Sequence, residues 1–276
     1  MISIVMSAYN ASATINKAID SVRSQSLTDW ELIIVDDAST DDTCNIILAY
    51  DDNRIKLIKH TENLGAGLAR RSGIEHIKGE WMTFLDSDDY ISEEYLETLL
   101  FTTKIFDVDI VSSGFISVNE AYETISKRIP KPRISENWDK FSHDESDTKR
   151  FMNPMLIRSS LWDKVTYSSR RFIEDTPTLV QILYWAKRVI TIDYAGYFYV
   201  QNSKSLIHTA SQIKNFIYRA LCIKDINLFF KDKAPEAIDY KEFYRLLDTI
   251  KVHDIHGFEN EVNELYEYER CIKNIN

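Results

Sequence analysis

The stretch "ELIIVDDASTDDT", residues 31–43, carries the pattern on which the fold reading rests. Leu32, Ile33, Ile34 and Val35 form a short apolar, β-branched run. It ends on Asp36 and Asp37, and Ser39, Thr40 and Asp41 then supply an N-cap cluster for a helix over roughly 41–50. The same strand-then-helix unit repeats on both sides. Upstream, "ISIVMSA" (2–8) reads as a strand, and Ile15, Ile19 and Val22 recur at helical spacing. Downstream, "RIKLIKH" (54–60) and "EWMTFLD" (80–86) read as strands. Between them lies a helix with a glycine-rich entry, "NLGAGLARRSGIEHI" (63–77). A helix over 92–105 and a strand "DVDIVSSG" (107–114) complete a β-α-β-α-β-α-β-α-β series. That order predicts an α/β fold with a Rossmann-like, mostly parallel sheet flanked by helices. Ligands in such sheets bind outside the carboxyl ends of the strands.

Beyond residue 119 the periodicity fails. "KRIPKPRISENWDKFSHDESDTKR" is polar, carries Pro130 and Pro132, and reads as a long excursion or cover up to about 150. Pro177, preceded by Asp175 and Thr176, suits a helix start, and "VITID" and "GYFYV" read as two more strands. From about 210 the chain is helical: Ile213, Phe216, Ile217, Ala220 and Leu221 share one face, and two further helices follow. The expected organisation is a first half over 1–115, a second half of the same domain over 116–209, and a helical extension over 210–276.

Bulk properties narrow the function. A chain of 276 residues with 15 Tyr and 13 Phe has ample packing material for a full core. A net charge of −10 argues against nucleic acid as a partner, because that requires a basic field. Cys44, Cys222 and Cys271 are odd in number and widely spaced, with no metal-ligand spacing and no disulfide framework, which suits a reducing, cytoplasmic setting. The start "MISIVMSAYN" does not read as a signal peptide, and no apolar run is long enough to span a bilayer. Contact with the inner face of a membrane would be peripheral.

Acidic residues at strand ends are the chemical signal. Asp86 and Asp88, at i and i+2 past a strand, can converge on one hard cation, and Mg²⁺ or Mn²⁺ is commonly held by one or two carboxylates plus substrate phosphates. The plainer reading is a solvated turn leading into the next helix through Ser92, Glu93 and Glu94. Asp36 and Asp37 close a second strand in the same way; Asp37 could accept from a base N–H or from ribose, with helix capping as the alternative. Tyr9 could stack on a base. Arg70 or Arg71 could meet a phosphate, although a solvated helix face suits at least one of them. Glu174 and Asp175 precede a helix, where a carboxylate serves either as general base or as cap. His208 could bind metal or diphosphate, though a lone histidine usually does neither.

These pieces, in this order, resemble the inverting, nucleotide-sugar-dependent glycosyltransferases of family 2, with the GT-A fold. The matching segments are "SIVMSAYNAS", "WELIIVDDASTDDT", "ENLGAGLARRSGI", "GEWMTFLDSDDY" and "FIEDTPTL". They are dense over residues 1 to about 115 and thinner to about 205. The resemblance implies that Ser7, Tyr9 and Asp37 hold the nucleotide base, that Arg70 lies near the nucleotide, and that Asp86 and Asp88 form the DxD motif. Asp88 would then ligate Mn²⁺ or Mg²⁺, with Asp86 near ribose and metal. Asp175, beside Glu174, would match the catalytic aspartate that deprotonates the acceptor hydroxyl. The implied donor is a nucleoside diphosphate sugar, by default a UDP-sugar, and the acceptor a saccharide or lipid-linked saccharide in polysaccharide or glycoconjugate biosynthesis. The sequence departs from the family pattern at Ser7 (commonly Pro), Arg71 (commonly Asn), Pro154 (commonly Lys) and Val200 (commonly Arg). The two alternatives are a nucleotidyltransferase, which would want a glycine-rich loop that "SAYNASATINK" lacks, and a catalytically inactive nucleotide-sugar-binding protein, which the departures at Pro154 and Val200 would suit.

Overall fold

The structure is a computed structural model and describes residues 1–141, 151–168, 170, 173–201 and 211–273. The chain forms two compact units, one of residues 1–171 and 178–202, the other of residues 172–177 and 203–276.

The first unit is built on one sheet. Its parallel half is made of β1 (Ile2–Ala8), β2 (Trp30–Asp36), β3 (Ile55–Lys59) and β4 (Trp81–Phe84), in the order β3-β2-β1-β4. Helices α1 (Ile15–Arg23), α2 (Thr43–Leu48) and α3 (Ala66–Ile74) make the crossovers. Side chains alternate across β1: Ile4 and Met6 join α1 and α4 (Tyr95–Ile105) in one core, and Val5 joins the other. That second core contains Met82, Phe84 and Ile157, with Leu179, Ile182 and Leu183 of α5 (Asp175–Trp185). Both faces of the strands are therefore covered, which is why β1 and β2 read as unbroken apolar runs. Gly73 of α3 lies so close to the sheet that a Cβ there would meet the Val5 side chain at 2.5 Å, so this helix can pack only with glycine at that position.

Beyond β4 the sheet changes character. The sequence-predicted fifth strand is β6 (Ile110–Val118), and it is not the neighbour of β4: β9 (Met155–Arg158) runs antiparallel between them. The two predicted strands "VITID" and "GYFYV" form one, β10 (Arg188–Val200), parallel to β6 with register shifts around Ala195. A two-residue β5 (Tyr90–Ile91) pairs with its far end. The excursion predicted after residue 119 is, over its described part, built into the sheet. β7 (Thr124–Arg128) pairs with β6, β8 (Arg133–Glu136) pairs with β10, and a 3₁₀ turn, Asn137–Lys140, follows. Pairing with distant strands imposes this order where local periodicity offers none. Residues 142–150 of that stretch lie outside the described residues.

In the second unit, α6 (Gln212–Phe230), α7 (Tyr240–Lys251) and α8 (Glu259–Lys273) share a core of Ile217, Ala220, Leu221, Phe243, Leu246, Leu247, Leu265 and neighbours. Ser211 and Asp239 cap α6 and α7 by accepting from the backbone N–H of Lys214 and Glu242. Among the described residues, no helix is long and apolar enough to cross a membrane.

Candidate active site

Three strand tips at the carboxyl edge of the parallel half bring the predicted residues forward. The loops after β1 and β2 are laced to each other. Asp37 N–H donates to Ala8 O (2.8 Å), Asn10 N–H to Ser39 Oγ (2.9 Å), Thr40 N–H to Asn10 Oδ1 (2.8 Å) and Ala11 N–H to Thr43 Oγ1 (2.7 Å). Asn10 and Ala38 hold left-handed backbone (φ 50° and 60°), a costly conformation for Ala in particular. Tyr9 stands half exposed at the mouth of this pair of loops, and Ser7 is partly buried at the end of β1.

Asp37 is buried, and both of its oxygens are in use. Oδ1 lies 2.7 Å from His60 Nδ1 and accepts from Leu64 N–H at 3.0 Å, and Oδ2 accepts from Gly65 N–H at 2.7 Å. His60 in turn reaches Ser72 of α3 at 3.0 Å. The Asp37 carboxylate thus folds the glycine-rich entry of α3, where Gly65 (φ 93°) occupies a conformation that other residues avoid. Asp36 is also buried and accepts from Ser39 N–H.

The loop after β4 is arranged differently. Asp86, Asp88 and Asp89 each offer an oxygen within 4.8 Å of the others. Asp86 is gripped on both sides: Arg70 Nη2 donates to Oδ1 and Asn153 Nδ2 to Oδ2, each at 2.7 Å. Asp89 is buried. Its Oδ2 accepts from the Tyr197 hydroxyl at 2.5 Å and its Oδ1 from Val200 N–H at 2.8 Å. The Tyr197 hydroxyl also accepts from Asn153 Nδ2 at 3.0 Å, so one network joins β4, β10 and the segment leading into β9. Asp88 is exposed at the rim and, among the described residues, has no side-chain partner from another residue. The protein mass around it and the negative charge of Asp86 nevertheless push its carboxyl up to about 6. Burial, then Asp86 and Asp88, hold Asp89 well above the usual carboxylate range. Like charges at ~4 Å repel by ~4 kcal/mol in an environment of effective dielectric 20, and among the described residues Arg70 is the one cation paired with the three carboxylates. An all-oxygen donor set with a negative excess and one free carboxylate fits a hard divalent cation.

Of the predicted residues, Arg70 and Asp86 are therefore in direct contact and Asp88 lies beside them. Asp37 belongs to the adjacent tip, bound to His60 and the α3 entry. Arg71 points to solvent and pairs with Glu75 at 3.5 Å. Glu174 and Asp175 are counted to the second unit; Asp175 is the first residue of α5, partly buried, with Thr176 Oγ1 at 3.4 Å from its Oδ1. His208 lies outside the described residues. Sequence reasoning missed Asn153, Tyr197 and His60, and gave Asp89, the third carboxylate past the strand, no role. Asp89 adjoins the DxD pair, and Asn153 sits beside Pro154, where the family pattern drew attention to the wrong neighbour. Nothing local distinguishes Tyr197 or His60.

The sequence profile described as Glycosyl transferase family 2 matches residues 3–161, from β1 to the turn after β9, and so spans all three strand tips. Glycosyltransferase GlyG of Streptococcus pneumoniae is 25% identical over 281 residues, 92% of this chain and 93% of that protein. The UDP-Glc:alpha-D-GlcNAc-diphosphoundecaprenol beta-1,3-glucosyltransferase WfgD of Escherichia coli is 42% identical over 89 residues, 32% of this chain and 35% of that one. The crystal structure of S. aureus TarS 1–349 in complex with UDP superposes with a TM-score of 0.68 over 93% of this chain and 73% of that one, at 19% identity, a likeness of fold. A profile match over more than half of the chain, centred on the strand tips where the carboxylates gather, makes this chain a member of glycosyltransferase family 2 and hence a glycosyltransferase.

Proposed function

We propose that this glycosyltransferase moves a sugar from a nucleoside diphosphate sugar, UDP-linked, to a hydroxyl of a saccharide acceptor in polysaccharide or glycoconjugate biosynthesis, with inversion at the anomeric carbon. The observation that carries the reading is the β4 tip: three clustered carboxylates, two of them fixed by protein donors and Asp88 free. The relative WfgD is named for a UDP-glucose donor and a lipid diphosphate-linked acceptor, which supports both choices.

Asp88, with Asp86 beside it, would hold Mn²⁺ or Mg²⁺. Such an ion supplies Lewis-acid neutralisation of the departing diphosphate, on the order of several kcal/mol of barrier. Arg70, fixed by Asp86, places a guanidinium next to that charge. Tyr9 and Ser7 flank the base, and Asp37 shapes the wall beside it through the α3 entry. Asp175, with Glu174 preceding it, takes the proton of the acceptor hydroxyl as that oxygen bonds to the anomeric carbon and the bond to the diphosphate oxygen breaks. A positioned base of this kind is worth ~10²–10⁴-fold.

Calorimetry with a panel of UDP-sugars, with and without Mn²⁺, followed by NMR of the product's anomeric configuration, tests the donor, the metal and the stereochemistry together. Asp175→Asn is expected to bind donor normally and to stop transfer; an undiminished transfer rate removes Asp175 as the base.

A further inference from the structure

The strap that crosses the second half of the sheet is chemically unlike the rest of the surface. In a chain of net charge −10, residues 124–135, "TISKRIPKPRIS", hold Lys127, Arg128, Lys131 and Arg133 and no acidic residue. The same stretch and the turn after it leave large apolar side chains in water: Ile125 is 52% exposed, Ile129 45%, Ile134 39% and Trp138 47%. Along β7 the two-residue period sets Ile125 and Lys127 on one side, and Ile129 continues that row. Arg128 faces the other way, its guanidinium 5.6 Å from the Phe151 ring, which packs edge-on against Phe115 at 5.2 Å. The acids flanking the strap have partners of their own: Glu123 accepts from Asn119 Nδ2 at 2.9 Å, Glu136 pairs with Arg188 at 2.8 Å, and Asp139 lies 4.0 Å from Arg133. Lys127 and Lys131 carry no ion pair among the described residues and are both exposed. Other exposed apolar side chains, such as Phe101 and Ile105 of α4, lack this setting, because Lys104 there is followed by Asp107.

Isoleucines interleaved with lysines, an exposed tryptophan and a local positive excess on an acidic protein match the demands of an anionic bilayer surface. There basic side chains meet lipid phosphates, apolar ones enter the acyl boundary, and tryptophan settles at headgroup level. We infer that residues 124–138 form a membrane-contact surface that seats the protein on an anionic lipid leaflet. The strap begins beside the active-site end of the sheet, where β7 pairs with the C-terminal half of β6. Through Phe115 and Phe151 it leads to Asn153, two residues on, which grips Asp86. The strap's β7 end lies toward the strand tips and its β8 end, paired with the start of β10, toward the opposite edge, so it is the β7 end that would bring the donor site near the headgroups, where the diphosphate of a lipid-linked acceptor resides. The biological use of the surface rests on the proposed transfer to such an acceptor, but the contact itself does not.

The test is co-sedimentation of the full chain with vesicles of phosphatidylglycerol and phosphatidylcholine, without donor or metal. Binding is expected to the anionic vesicles, to weaken with added salt, and to be absent with phosphatidylcholine alone. Lys127→Ala with Lys131→Ala is expected to lower the partition coefficient roughly 30-fold, and Ile125→Ser with Ile129→Ser to lower it further while leaving the thermal midpoint unchanged. Both variants should transfer sugar to a water-soluble acceptor at the parental rate and lose rate only on acceptor embedded in vesicles. Failure of the parent to bind anionic vesicles overturns the inference, as does undiminished binding by the variants. A dimer in sedimentation velocity that the isoleucine variant dissolves also overturns it, by assigning the face to a second copy of the chain. Vesicle binding that follows these expectations in a protein that transfers no sugar would sink the proposed function and leave the surface standing.

Discussion

The tips of β2 and β4 carry nearly the same signature, an apolar strand running into paired aspartates, yet they use their charge in opposite ways. At β2, Asp37 is held from within: His60, Leu64 N–H and Gly65 N–H all point at it. These contacts fold the entry of α3 against the tip. At β4 the donors are fewer. Arg70 and Asn153 occupy Asp86, Tyr197 and Val200 occupy Asp89, and among the described residues no side chain pairs with Asp88, whose like-charged neighbours Arg70 offsets only in part. A carboxylate ringed by protein donors can be held by the fold alone, whereas one set beside other carboxylates has room for a cation. The distinction lies in the count of donors, which no strand-end motif reveals.

The largest expected effect separates the two tips. Asp88→Ala should reduce transfer by on the order of 10³-fold, read as kcat/KM, because the metal would lose its free ligand. The same change should raise the thermal midpoint of the metal-free protein at pH 7. A carboxyl pushed up to about 6 holds its proton more tightly when folded than when unfolded, so ionising it as pH rises from about 4 to about 6 costs stability, and deleting it removes that cost. For the same reason Mn²⁺ affinity should fall as pH drops through about 6, where protons compete for Asp88. Asp37→Ala should behave in reverse, losing ~2–4 kcal/mol in urea denaturation because three donors are left without an acceptor. Equal stability loss in both variants would erase the contrast between the two tips.

A smaller effect probes how the β4 tip is held. Tyr197→Phe removes a donor to buried Asp89 and should cost ~1–2 kcal/mol in urea, with Mn²⁺ affinity lowered as the loop loosens; unchanged affinity would confine Tyr197 to packing. Smallest, Ala38→Gly should stabilise by up to ~1 kcal/mol by relieving the left-handed backbone at φ 60° in the loop after β2, measured as a shift in the urea midpoint.

Much of the parallel half was legible in the chain itself. Strands buried on both faces must be continuous apolar runs, and amphipathic crossovers must show a 3.6-residue period, so β1 to β4 and α1 to α3 declare themselves locally. Asp86 and Asp88 were nameable because they stand at the end of β4, while only the family resemblance set Arg70 apart from Arg71; the first C-terminal helix announced itself through one apolar face, and two more were expected after it. The later sheet was legible only in part: β6 and the two halves of β10 read as strands, but their neighbours did not. β7, β8 and β9 are short, largely polar or proline-flanked, and become strands only because β4, β6 and β10 present open edges to them.

The order of elements, the strand tips and the gathering of acidic residues at them follow from sequence alone, since each depends on contacts within a few turns of chain. Which carboxylate is spent and which is free was decided only by tertiary structure. Asp37 meets His60, Asp86 meets Arg70 and Asn153, and Asp89 meets Tyr197 and Val200. The partners of Asp86 and Asp89 come from α3, from the segment before β9 and from β10, which only the closed sheet brings to one point. Hydrogen bonding is short-ranged and geometric, so it belongs to neighbours in space.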